Sequence, residues 1–139
     1  KTKELPAQGI FFDGQIFDAY SFVSALVKKA KKEIFLIDNY VDETVLTLMA
    51  KRRKNVSLVI YAKSVNKTLQ LDVEKHNAQY PPVEIKEFAY SHDRFLIFDR
   101  KELYHIGASL KDLGKKWFAF SRMDSLALQV LKQLKEVAI

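Results

Sequence analysis

The 139-residue chain has no cysteine, four glycines and three prolines. Without cysteine there is no disulfide framework, no zinc–thiolate site and no catalytic thiol. So few glycines and prolines leave room for few long loops, with Pro81-Pro82 the one firm break. No apolar run reaches the roughly 18 residues of a membrane span. No signal peptide is read at the start, and a cytoplasmic location is expected. There is no internal repeat and no glycine-rich phosphate loop. No two acids or histidines have metal-ligand spacing on one helix, so neither a metal nor a cofactor is expected.

What is present is the composition of a folded domain. Hydrophobic residues make up 48% and charged residues 29%, which excludes a disordered tail. Residues 1–9 are polar, hold Pro6 and Gly9, and are expected to form a linker or leading arm. Residues 10–139 are expected to form one domain. The chain opens on Lys1 rather than Met, and it reads as a piece of a longer protein.

The net charge of +6 is unevenly placed. Residues 1–50 hold six basic and seven acidic side chains, whereas residues 51–139 hold 17 and ten. The excess includes Lys51-Arg52-Arg53-Lys54 and Lys115-Lys116. Such clusters are either solvated surface or a surface that attracts phosphate or nucleic acid, and composition does not choose between the two.

Hydrophobic periodicity orders the elements. A short strand over Ile10–Phe12 stops at Asp13-Gly14, and a helix runs from Phe17 to Lys31. Glu33–Tyr40 is a strand whose Ile34-Phe35-Leu36-Ile37 suits burial on both faces. Asp42 caps a helix over Glu43–Arg53, Val56–Tyr61 is a strand, and Asn66–Gln79 is a helix. Strands follow at Val83–Ala89, Arg94–Phe98, Leu103–Ile106 and Trp117–Phe120, before a closing helix over Arg122–Val137. Strands alternating with helices imply parallel pairing first. The run of strands after Val83 implies antiparallel or mixed pairing later. The expected fold is three-layer α/β/α around a mixed sheet.

The segment that carries chemistry is Ser91-His92-Asp93-Arg94-Phe95-Leu96-Ile97-Phe98-Asp99. On a strand, His92 and Arg94 leave the same face. An imidazole and a permanently charged guanidinium at one spot can hold a phosphate between them. Asp99 ends the strand, where it can orient a neighbour or accept donors. Gly107-Ala108-Ser109 is a small-residue turn that admits close backbone approach to a ligand. Asp38-Asn39-Tyr40 ends a buried strand, where ligand sites form in α/β sheets. Asn39 and Tyr40 are therefore site-lining candidates, or simply a cap and turn. His105 is structural or site-lining. His76, near a helix end, is read as structural, as are Trp117, Phe118 and Phe120 in a core or dimer-interface strand.

The order His92-x-Arg94, four residues, Asp99, then Gly107-Ala108-Ser109 resembles the phospholipase D superfamily. Its motif is His-x-Lys, four residues and Asp, followed by a Gly-Ser-x-Asn-like segment. The resemblance implies a phospholipase D-like fold and a phosphohistidine mechanism. His92 would attack phosphorus, and the His92 of a second copy would protonate the leaving group. It further implies catalytic roles for Arg94, Asp99 and Ser109, with Arg94 and Ser109 on phosphate oxygens and Asp99 in support. Lys111, Lys115 and Lys116 would add nucleic-acid contacts. Since the chain holds one motif and two must meet, a homodimer with the site on its two-fold axis is implied. Several one-motif members of the family are nucleases, so nucleic acid is the expected partner. Three departures favour an alternative, a degenerate nucleic-acid-binding or dimerisation module. Arg94 stands where Lys is usual, Leu110 or Lys111 where Asn is usual, and Gly114-Lys115-Lys116-Trp117 where an acid often follows. A second similarity is to the C-terminal part of phage and mobile-element antirepressor-like DNA-binding proteins. It rests on Gly9–Gln15, Ile37–Asp42 and His105–Gly114.

Overall fold

The computed structural model describes residues 5–137. Seven strands form one sheet: β1 (Gln8–Phe11), β2 (Glu33–Ile37), β3 (Ser57–Ala62), β4 (Val83–Glu87), β5 (Arg94–Phe98), β6 (Glu102–Ile106) and β7 (Phe118–Arg122). Four α-helices accompany them: α1 (Ile16–Lys29), α2 (Glu43–Met49), α3 (Lys67–Asn77) and α4 (Ala127–Gln133). The strand order is β1-β7-β6-β5-β2-β3-β4. β2, β3 and β4 are parallel neighbours, linked through α2 and α3. β5 runs antiparallel to β2, and β6, β7 and β1 continue antiparallel. This is the parallel-then-antiparallel division expected from the spacing of the elements.

Alternation along the strands separates two cores. Ile34, Leu36, Leu96 and Phe98 face α1, α2 and α3, packing with Val23, Leu26, Val45 and Leu69. Phe35, Ile37 and Ile97 face the other way, against Ala127 and Leu131 of α4 and Leu134 just beyond it. Three layers result, with β2 and β5 buried on both faces at the centre.

Local chemistry sets the helix ends. Asp42 accepts from Thr44 N at 3.0 Å, and Asn66 accepts from Leu69 N at 2.8 Å. α2 stops at Met49 instead of reaching Arg53, because Arg52 folds back on it. The buried Arg52 guanidinium donates to the carbonyls of Met49 (3.0 Å), Val56 (3.0 Å) and Pro81. Arg53 Nε donates to the Lys28 carbonyl at 3.1 Å, and Lys51 lies over the Tyr20 ring. Three members of the basic cluster at 51–54 are thus engaged in holding the fold.

The ends of the chain depart furthest from the periodicity. β1 begins at Gln8, so the last residues expected in a leading arm pair with β7, Gln8 opposite Ser121 and Gly9 opposite Phe120. Residues 1–4 of that arm lie outside the described residues. β7 extends to Arg122, and a 3-10 turn over Asp124–Leu126 precedes α4. The closing helix is therefore shorter than its apolar stripe suggested. Arg122 is held in the sheet, where its backbone N–H donates to the Ala7 carbonyl at 2.7 Å.

Candidate active site

The parallel strand β2 ends on an apolar run, and the first polar side chain beyond it, Asp38, is fully buried. Its carboxylate organises the sheet end. Ser109 Oγ lies 2.7 Å from Asp38 Oδ1 and 3.0 Å from the Tyr40 carbonyl. Leu110 N donates to Oδ2 at 2.8 Å, and Tyr40 N to Oδ1 at 3.1 Å. Burial raises the Asp38 pKa above its ordinary value of 3.8. The donors from Ser109, Leu110 and Tyr40, and the nearby positive charge of Arg94, offset only part of that.

Arg94 opens β5 beside this knot without forming an ion pair in it. Its Nη1 donates to the His92 carbonyl at 3.2 Å. Its Nε is shielded from solvent and has no hydrogen-bond partner among the described residues. Asn39 Nδ2 donates to the Ser91 carbonyl at 2.9 Å and ties the β2 end to the 91–93 turn, while Asn39 Oδ1, also buried, has no partner. Ser91 Oγ donates to the Asp93 carbonyl at 2.8 Å and tightens that turn. His92 projects from it, exposed. One sheet end therefore combines an accessible imidazole, a guanidinium with uncommitted donors and an unpartnered amide oxygen. Unsatisfied polar atoms of this kind suit a ligand with both donors and acceptors to meet. An anion there could meet His92 and Arg94 together.

His92, Arg94, Asn39, Tyr40 and Ser109 are brought to this end of the sheet. Tyr40 contributes its backbone, and its side chain is exposed. Ser109 is buried, and its hydroxyl is taken by Asp38 and Tyr40 rather than turned to a ligand. His105, opposite Phe95, leaves the other face of the sheet, with Nε2 3.5 Å from Asp93 Oδ1.

Asp99 is not brought to the site. It lies at the other end of β5, roughly 17 Å along a strand that rises about 3.3 Å per residue. There its carboxylate accepts from the backbone N–H groups of Lys31 (3.0 Å), Lys32 (2.6 Å) and Glu33 (3.0 Å). Gly107 also differs from its expected role. The backbone that approaches it belongs to β7, with Gly107 N donating to Ala119 O at 2.8 Å, and not to a ligand. Lys111 and Lys115 both reach Asp112, at 3.0 and 3.1 Å. Lys116 has no carboxylate partner among the described residues. No three His, Asp or Glu side chains gather as metal ligands among the described residues. Asp38 organises the segment Asp38-Asn39-Tyr40, of which the sequence marks only Asn39 and Tyr40 as site-lining; its signal is a lone acid closing a continuous apolar strand.

No family model and no curated protein matches the sequence. Solved structures do match the fold. Nuc from Salmonella typhimurium, a phospholipase D family member, superposes with a TM-score of 0.64 at 13% identity, covering 93% of this chain and 91% of that one. The chain has the phospholipase D fold. NucT from Helicobacter pylori shares it at a TM-score of 0.62 and 10% identity, with 93% and 91% of the two chains covered. TrmBL2, an archaeal chromatin protein with a novel mode of DNA binding, matches at a TM-score of 0.61 and 13% identity. That match takes in 97% of this chain and 53% of TrmBL2. At such identities the likeness is one of architecture. No helix among the described residues is long and apolar enough to cross a membrane.

Proposed function

We propose that the chain binds and hydrolyses nucleic-acid phosphodiesters at the His92–Arg94 end of the sheet, as a homodimer. The observation that carries this reading is the exposed His92 two residues before an Arg94 whose guanidinium has uncommitted donors, on a phospholipase D fold. Arg94 would hold non-bridging oxygens. His92 Nε2 would attack phosphorus, forming a phosphorus–nitrogen bond as the bond to the leaving oxygen breaks. The His92 of the second copy would deliver the proton to that oxygen. Water would then release the phosphate from His92 with the proton roles reversed. Asp38 and Ser109 act as positioning residues, fixing the connection after β6 against the end of β2. The archaeal chromatin protein among the structural relatives supports a nucleic-acid ligand.

One observation favours a second reading, a binding or dimerisation module without turnover. The Ser109 hydroxyl is already committed to Asp38 and Tyr40. Incubation with single- and double-stranded DNA and RNA in EDTA separates the two. The hydrolytic reading expects cleavage in EDTA that falls at least about a hundredfold in His92→Ala. Salt-dependent binding that survives His92→Ala, with no cleavage of any substrate, would establish the module instead.

A further inference from the structure

The sheet end that carries His92 has a second concavity on its α4 face. A cleft of about 440 Å³ opens between α4 and the connection from β4 to β5. Phe88, Tyr90 and Phe95 form its aromatic wall, Gln129 and Gln133 its rim on α4, and no charged side chain among the described residues lines it. Tyr90 is 90% exposed, although its ring is ordered by edge-on contact with Phe88 at 5.4 Å. Phe88 in turn meets Tyr61 edge-on at 5.7 Å. A large aromatic face is therefore held in water on a fixed support. Gln129 and Gln133 are four residues apart, so they share one edge of α4, and neither makes a side-chain hydrogen bond among the described residues. Ser91 also lines the cleft and directly precedes His92.

We propose that this cleft receives an unpaired nucleobase of the strand whose phosphate lies at His92 and Arg94, so that the ligand is single-stranded nucleic acid. The inference rests on the phosphodiester reading above and narrows it. A base is flat and uncharged, with apolar faces and a polar edge. The cleft offers the complement: aromatic walls for the faces and two free carboxamides for the edge. Its volume falls within the roughly 300–1,000 Å³ of small-molecule sites. Ser91 lines the cleft and precedes His92 in one turn, so the bound strand would pass over the end of the sheet from the Arg94 face to the α4 face. A duplex, by contrast, would have to unpair a base at a cost of about a few kcal/mol to fill the cleft.

Fluorescence anisotropy tests this at fixed salt with the full chain carrying His92→Asn, which keeps the probes uncleaved. The probes are a short labelled single strand, the same strand in a duplex, and the same strand with abasic sites. Tighter binding of the single strand than of the duplex is expected. Tyr90→Ala should weaken single-strand binding about tenfold while changing abasic-strand binding by less than about twofold, and Tyr90→Phe should retain it. Tyr90 is exposed, so its truncation leaves the core intact. If the intact and abasic strands bind equally, or Tyr90→Ala leaves single-strand binding unchanged, the base site is wrong while the phosphate reading stands. If no nucleic acid binds, both fail. If phosphatidylcholine micelles bind through Tyr90 and oligonucleotides do not, the cleft is an acyl site and the proposal is overturned.

Discussion

Asp99 illustrates how a motif residue can stand far from the chemistry. It is one of two consecutive non-glycine residues in the left-handed region, with φ 57° at Asp99 and 60° at Arg100. That backbone is disfavoured for both, less so for Asp. Side chains offset the strain: Asp99 collects three backbone N–H groups, and Arg100 Nε donates to Glu33 Oε2 at 2.7 Å. Burial alone would raise the Asp99 pKa, but the N–H groups of Glu33, Lys31 and Lys32 outweigh it, and the net shift is downward from 3.8. A depressed carboxyl stabilises the fold above its unfolded pKa, and that contribution is lost as the pH falls through the folded value. Asp99→Asn tolerates the same backbone. It should lose about 1–3 kcal/mol at neutral pH in denaturant titration. It should also show a shallower loss of Tm between pH 5 and 3 than the parent chain. Below its Tm, His92-dependent cleavage should be unchanged, since Asp99 is not at the site; a proportional loss of kcat would contradict that placement.

At the level of elements, the hydrophobic pattern was legible wherever one face or both were buried. The apolar runs of β2, β3 and β5 announced their own burial, and Asp42 and Asn66 announced helix starts. Misjudged boundaries lie where long-range partners intervene. Arg52 ends α2 by bonding to Val56 and Pro81, and β7 draws Gln8 and Gly9 into the sheet. Pro81 and β7 are distant in sequence, and the bond to nearby Val56 needs the guanidinium turned back on the helix end, so periodicity could not report them. Gly107 is the same kind of case. A Cβ there would stand 2.8 Å from Ala119 O and 3.2 Å from Ala119 N, both backbone atoms of the neighbouring strand. Gly107→Ala should therefore cost about 1–3 kcal/mol, seen as a lower Tm. An unchanged Tm would mean that β6 and β7 separate readily at this point.

Over the whole molecule, charge becomes interpretable only after folding. The basic excess after residue 50 could be read from composition either as solvated surface or as a surface that attracts phosphate. Arg52 is buried in carbonyl contacts, Lys111 and Lys115 share Asp112, and Arg122 pairs with Asp124 at 2.9 Å. Part of the charge thus serves the fold, and Arg94 and Lys116 are among the cations that have no carboxylate partner among the described residues. The proposed shared site would require two copies, because one chain holds one His92. Light scattering should give twice the monomer mass; a strictly monomeric chain would leave the proposed general acid without a source. The sequence by itself determined the layered α/β architecture, because burial patterns are local properties; it set His92 on one strand with Arg94, whereas β5 begins at Arg94 and His92 stands in the turn before it. Only the tertiary structure decided which motif residues lie together. It tied Asp99 to the backbone of Lys31–Glu33, turned Ser109 inward and made Asp38 the organiser, because those contacts join residues some 70 positions apart.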